Sequence, residues 1–273
     1  MTIPVVFISR TLSYRPELQL VVEQAKKNNE DVFLLGDEGN KQYCPSNHHN
    51  ITDYSDGVKE FEECYEHLST NDKEIEKFCF SRWFVLRNFL RSKNFEGALY
   101  LDNDILLFAN ATPEFEKRKH LHCVLSGRSS GHSSYWTLKG LEAFCDYLME
   151  IYTNKTSYDY HRLASHFYVR QHFGLDGGLC DMTLLESFAR YKCSHLVGEV
   201  SIVTDGFYYD HVIQEAEGFE QENGIKKFVF RNGIPYAKQI LTQKDIPFAT
   251  IHFQGAQMPL IETFIKLYDD SLI

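Results

Sequence analysis

The run Ala98-Leu99-Tyr100-Leu101-Asp102-Asn103-Asp104-Ile105-Leu106-Leu107-Phe108 sets two carboxylates, one residue apart, inside an apolar stretch that reads as a buried strand. Burying such charges is expensive unless they are paired or bound to a cation. In an extended segment the side chains at i and i+2 share a face, so Asp102 and Asp104 converge at the strand's end. Carboxylate oxygens suit hard cations such as magnesium or manganese. An ion held there by few protein ligands would keep positions open for a diphosphate. Asp-Asn is equally good turn chemistry, and a strand can stop at Asp102 and restart at Ile105 around a tight bend. These residues alone leave both readings open.

A second stretch with chemistry in it is Ile251-His252-Phe253-Gln254-Gly255. In an extended segment His252 and Gln254 share a face, and Gly255 permits close approach of the backbone. A neutral imidazole ligates manganese, so His252 can complete a site begun by the two aspartates. A histidine merely hydrogen-bonded at a strand end accounts for the same residues.

The elements that must position these groups are legible in outline. Residues 4–8 are β-rich, residues 16–28 have helical spacing with a proline in the first turn, and residues 31–35 form the next strand. This β–helix–β opening is that of an open α/β sheet, whose ligands bind outside the carboxyl ends of the strands. Ser9-Arg10 and Gly36-Asp37 stand at two such ends. Residues 40–56 read as a loop, and residues 57–68 and 72–92 as helices. The second helix has Ile75, Phe78, Cys79, Trp83, Leu86, Phe89 and Leu90 on one broad face. Further on, residues 121–125 read as a strand, with a helix capped by Thr137 running to Tyr152. Residues 157–172 and 181–191 also read as helices. Asn232-Gly233 between residues 226–230 and 234–240 signals a hairpin. Residues 248–253 make a last strand, and Pro259 opens a last helix. The expected fold is α/β, a mixed, mostly parallel central sheet flanked by helices with a small late antiparallel hairpin, in one domain over 1–273.

Composition narrows the function classes. With 43% apolar and 14% aromatic residues, the 273-residue chain can build a substantial core. A formal net charge of −10 argues against a nucleic-acid partner, which needs a basic surface. The N-terminal residues lack the basic and apolar regions of a signal peptide, and no apolar run is long enough to cross a bilayer. Seven cysteines without metal-ligand spacing read as reduced thiols. A cytoplasmic location is the expectation.

The Asp-X-Asp after an apolar strand, the β–α–β opening and the late His-X-X-Gly together resemble glycosyltransferases of the GT-A fold. The His252-Phe253-Gln254-Gly255 run is similar to a motif of the glycogenin and galactosyltransferase-like group. The resemblance implies that Asp102, Asp104 and His252 hold manganese or magnesium, and that the metal bridges the diphosphate of a nucleotide-sugar donor. It implies a carbohydrate or glycoconjugate acceptor. That group's motif continues with a lysine that contacts phosphate, whereas Gln257-Met258-Pro259 follow here. Arginines are the natural substitutes, since a guanidinium grips phosphate bidentately. Arg10, Arg82 and Arg87 are the candidates; a solvated helix face is the plainer account of the last two.

Further donor contacts are expected from Ser9, Asp37, Asn103, Gln254 and Gly255. The hydroxyl-rich residues 126–136 offer His132 and Ser133 to the sugar, and Trp136 as a stacking face for the sugar or acceptor. A flexible surface loop has the same composition. Asp176-Gly177-Gly178-Leu179-Cys180-Asp181 precedes a helix, where GT-A enzymes often place a catalytic or sugar-binding carboxylate. Asp181 is the first candidate and Asp176 the second, with Gly177 and Gly178 letting the backbone approach the sugar. A simple N-cap role for Asp181 needs no enzyme. If the reaction inverts, Asp181 is the general base; if it retains, the same carboxylate holds the sugar. Alternatives are a sugar-phosphate nucleotidyltransferase and a non-catalytic carbohydrate-binding module. The first usually has a Gly-rich N-terminal phosphate loop, and residues 9–13 contain no glycine.

Overall fold

The structure is a computed structural model that describes residues 2–11, 16–127, 129–200 and 206–273. Leu12, Ser13 and Arg128, which belong to segments read above, lie outside the described residues. The strands are β1 (Val5–Ile8), β2 (Val32–Gly36), β3 (His48–Asn50), β4 (Gly97–Leu101), β5 (Ile105–Leu107), β6 (Cys123–Ser126) and β7 (Ser130–Thr137). They continue with β8 (Val197–Glu199), β9 (Tyr208–Tyr209), β10 (Gln221–Glu222), β11 (Ile225–Lys226), β12 (Phe228–Arg231), β13 (Ile234–Lys238) and β14 (Asp245–His252). The helices are α1 (Pro16–Lys26), α2 (Val58–Cys64), α3 (Lys73–Lys93) and α4 (Ala111–Arg118). After them come α5 (Leu138–Thr153), α6 (Tyr158–His172), α7 (Asp181–Ser187) and α8 (Ile261–Asp270).

The central sheet has the order β3-β2-β1-β4-β7-β6-β8. Its β3/β2, β2/β1, β1/β4 and β6/β8 pairs are parallel, and only β7 runs against its two neighbours. Every residue of β1 is buried, because alternate side chains enter cores on opposite faces. Val6 and Ile8 pack with α3, α5 and α7, while Val5 and Phe7 pack with α1 and α8. The parallel register brings the carboxyl ends of β1, β2 and β4 to one edge of the sheet, where Ser9, Asp37 and Asp102 emerge.

A second sheet, β12-β13-β14-β5, completes the fold, with β9 beside β14. Its β12–β13 hairpin turns at Asn232 and Gly233, both with positive φ, as the Asn-Gly signal requires. The chain passes from the first sheet to the second at residues 102–104, a turn between β4 and β5. The tight-bend reading therefore describes the backbone there. The bend sets the two aspartates where both sheets meet.

Helix α3 is placed by its ends. The Asp72 side chain accepts from the amides of Glu74 and Ile75, and Asn94 closes the helix in the left-handed conformation. Its apolar face, with Phe80, Trp83, Phe84 and Leu90 fully buried, lies against the sheet and α5. Three expectations are corrected here. Most of the hydroxyl-rich stretch is not a loop: residues 130–137 form an interior strand, and Ser133 and Ser134 are fully buried. Small side chains suit this position, where a Cβ on Gly131 would stand 2.7 Å from the Trp83 ring. Residues 40–56 contain β3 and two short 3-10 turns, and Pro259 lies within such a turn ahead of α8. No helix among the described residues is long and apolar enough to cross a membrane.

Candidate active site

At the edge where the strands end, a cleft of about 380 Å³ is lined by Arg82, Asp102, Asp104, His132, His211 and His252, with Asp181, Gln254 and others closing it. Four separated parts of the sequence supply Arg82, the three aspartates and His252. Arg82 comes from α3, Asp102 and Asp104 from the turn after β4, His252 from the end of β14, and Asp181 from the first turn of α7.

Arg82 is the hub. Its Nη1 donates to Asp102 Oδ1 at 2.8 Å and to the Tyr100 hydroxyl at 2.9 Å, and its Nη2 donates to Asp181 Oδ2 at 2.6 Å. The Trp83 indole N–H donates to the same Asp181 oxygen at 3.2 Å. Burial opposes the guanidinium charge, but Tyr100, Asp102 and Asp181 more than offset this and hold its pKa well above the usual value. Asp181 is therefore not the N-cap of α7. That position belongs to Cys180, and the Asp181 carboxylate turns to Arg82 instead. The Tyr100 hydroxyl donates to Asp102 Oδ1 at 2.5 Å.

His252 stands opposite Asp104, with Nε2 3.4 Å from Oδ1, an ion-pair distance rather than a close hydrogen bond. Its Nδ1 donates to the His211 carbonyl at 2.5 Å, which leaves Nε2 toward the carboxylate. Burial works against an imidazolium here. The Asp104 carboxylate, the His211 carbonyl and Asp102 outweigh it and raise the pKa to about 9. His132 lies over His252 with ring centroids 4.3 Å apart, and its Nε2 is 3.2 Å from His211 Nδ1. Burial, then the His252, His211 and Arg82 charges, push its pKa well below the usual value, so it is neutral.

The remaining candidates divide. Gln254 lines the cleft, and Gly255 follows it with a positive φ. Ser9 is buried at the end of β1, where its hydroxyl accepts from the Asn103 amide at 2.9 Å. Asp37 accepts from Thr11 and Gly39, tying the ends of β1 and β2 together. The Arg10 guanidinium lies 4.6 Å over the Phe78 ring.

Others the fold does not bring to the cleft. Arg87 donates to the Asp56 carbonyl and to Asn88, fastening α3 to the segment before α2. Ser133 is enclosed on β7. Trp136 is 0% exposed, packed against Trp83 and Phe144 with its N–H donating to Ser134, so no acceptor can stack on it. Asp176 lies on an exposed turn whose carbonyl accepts from Arg170. Gly177 and Gly178 meet the segment at Leu68–Thr70, where a Cβ on Gly178 would come within 2.2 Å of the Leu68 carbonyl. Close packing against protein, not approach to a sugar, accounts for that glycine.

Tyr100, Trp83 and His211 were missed in the sequence. Tyr100 carried a usable signal, since it shares strand parity with Asp102. His211 carried none, lying in a short irregular segment beside β14.

Among the described residues, no group of three or more His, Cys, Asp or Glu side chains is already gathered as a metal centre. The donors nonetheless suit a cation. Asp104 Oδ1 is buried without a hydrogen-bond partner among the described residues, and the imidazole nitrogen facing it has its tautomer fixed from behind.

No family model and no curated protein matches the sequence. Solved structures do match in shape. Mouse xyloside xylosyltransferase 1 is 9% identical, covering 73% of this chain and 85% of that one at a TM-score of 0.47. A glycosyltransferase involved in glycosylation of the major capsid of PBCV-1 is 8% identical, covering 97% and 99% at 0.43. The bifunctional glycosyltransferase WbbM is 9% identical and matches 98% of this chain at 0.50. This chain spans 49% of WbbM, about half its length. At such identity the likeness shows the fold alone, and that fold is the GT-A-like α/β architecture.

Proposed function

We propose that this protein is a metal-dependent glycosyltransferase, moving a sugar from a nucleoside diphosphate sugar to an acceptor hydroxyl. The observation that carries this reading is the convergence of Asp102, Asp104, His252, Arg82 and Asp181 on one cleft at the carboxyl edge of the sheet. The shared fold with a glycosyltransferase supports it. Asp102, Asp104 and His252 would hold manganese or magnesium. Such an ion supplies positive charge against the charge that develops on the departing diphosphate.

The chain's own residues do the rest. Arg82 holds the Asp102 and Asp181 carboxylates in fixed relation, so neither must reorganise when substrate arrives. Both of its bonded nitrogens are committed to those acids and Tyr100, which makes it a positioning group rather than a phosphate grip. Asp181 faces the cleft with its carboxylate anchored through Oδ2. In an inverting reaction it takes the acceptor's proton as general base. In a retaining reaction it holds the sugar while the leaving phosphate takes that proton. Ser9, Arg10 and Asp37, at the ends of β1 and β2, would receive the nucleoside end.

The test is release of nucleoside diphosphate from a panel of nucleotide-sugars, with and without manganese. The wild type is expected to release it only with metal, and Asp104→Ala to lose on the order of 10²-fold or more in rate. Metal-independent release, or pyrophosphate as product, would contradict the reading.

A further inference from the structure

The segment at residues 210–213 holds His252 at its amide, its ring Nδ1 and its carbonyl. The Asp210 carboxylate accepts from the His252 amide at 3.1 Å, the His211 carbonyl accepts from the His252 ring, and the Ile213 amide donates to the His252 carbonyl at 3.0 Å. What holds that segment is a lysine. Lys226 and Asp210 have fully buried side chains, and Lys226 Nζ donates to Asp210 Oδ1 at 2.8 Å. The same Nζ donates to the Val212 carbonyl at 2.7 Å and to Glu217 at 2.7 Å, giving each ammonium proton an acceptor. The Lys226 amide donates to the Ile213 carbonyl at 2.8 Å.

A buried ion pair of this kind is weak evidence for stability, since its desolvation offsets its attraction. Its geometry serves something more specific. Lys226 binds residues 210 and 212 from one side and leaves the carbonyl of residue 211, between them, aimed at the imidazole. We infer that Lys226 and Asp210 are positioning residues for the active site. They fix the tautomer and orientation of His252, and so the direction of Nε2 toward Asp104. A ligand histidine whose far nitrogen is held by a carbonyl is a known arrangement of outer-shell support, and loss of such support weakens metal binding roughly 10–100-fold. Lys226 acts one step further out. The inference deepens the proposed function and rests on His252 being a ligand there.

The test compares Lys226→Met and Asp210→Asn with the wild type in the full chain. Two readouts are used: manganese affinity by calorimetry without nucleotide-sugar, and the His252 ring nitrogen signals by long-range proton–nitrogen NMR without metal, recorded above the ring's pKa of about 9, where it is neutral and its tautomer is defined. Both variants are expected to fold, to bind manganese about tenfold more weakly, and to lose the single-tautomer signature of His252. Lys226→Arg, which keeps the charge, reports on the clamp if Lys226→Met does not fold. It should restore part of the ring signature relative to Asp210→Asn. Folded variants with unchanged ring signals and unchanged affinity would overturn the inference. A wild type that binds no manganese would remove the metal reading. The ring signals would still decide whether Lys226 orients His252.

Discussion

Arg82 donates to Asp102 through one guanidinium nitrogen and to Asp181 through the other, so a single buried cation fixes the relation of two carboxylates that line the cleft. Removing it by Arg82→Ala leaves the buried Asp181 charge supported only by the Trp83 N–H among the contacts described. The expected loss of stability is about 3–5 kcal/mol. Arg82→Lys keeps a charge without the fork and should lose less stability, yet still lose activity, because a point charge cannot bridge both acids. Chemical denaturation of both variants, with a double-mutant cycle against Asp181→Asn, checks this.

The acidity of His252 predicts how stability varies with pH. Its pKa is raised in the folded protein, so its stabilising contribution is complete below the unfolded value of 6.5 and is lost as pH rises toward about 9. The metal-free protein should lose at most about 3.5 kcal/mol across that window, from a shift of about 1.4 kcal/mol per pKa unit. A bound cation replaces the proton, so manganese should raise the melting temperature more at pH 8.5 than at pH 6.5. His252→Gln should flatten both trends in thermal-shift measurements over that range.

Much of the scaffold is legible from pattern. The β–α–β opening, the α3 face and the Asn232-Gly233 hairpin each rest on local chemistry, and each falls where periodicity or turn residues place it. Asp104 and His252 face each other because β5 and β14 pair antiparallel with His252 opposite Ile105, and Asp102 lines the same cleft from the end of β4. Sequence pattern failed where tertiary packing decides. Ser133 and Trp136 lie on an interior strand whose small and polar residues read as a loop. Arg87 shares its helix with Arg82 but faces a different neighbour. The clamp on His252 depends on Asp210, just after β9, meeting Lys226 in β11, and nothing local in either segment announces that pairing.

Gly178 tests the distinction between packing and sugar contact. A Cβ there meets the backbone of Leu68, which cannot yield as a flexible side chain would. Gly178→Ala is expected to destabilise the fold by about 1–3 kcal/mol through overpacking. Affinity for nucleotide-sugar, measured well below the variant's melting temperature, should stay near the wild-type value.

Trp136 makes a parallel case. Enclosed between Trp83 and Phe144, it is part of the core, and Trp136→Ala should lose about 3–5 kcal/mol. The milder Trp136→Phe should remain folded and leave the acceptor KM unchanged. A raised acceptor KM in that variant would return Trp136 to the binding surface.

The account depends above all on Asp104 and His252 sharing one divalent cation. Manganese binding to wild type, Asp104→Asn and His252→Gln, followed by electron paramagnetic resonance at pH 7.5, tests this most directly. The account predicts one bound ion per chain in the wild type and affinity reduced at least tenfold in each variant. Equal manganese affinity in all three proteins would contradict it.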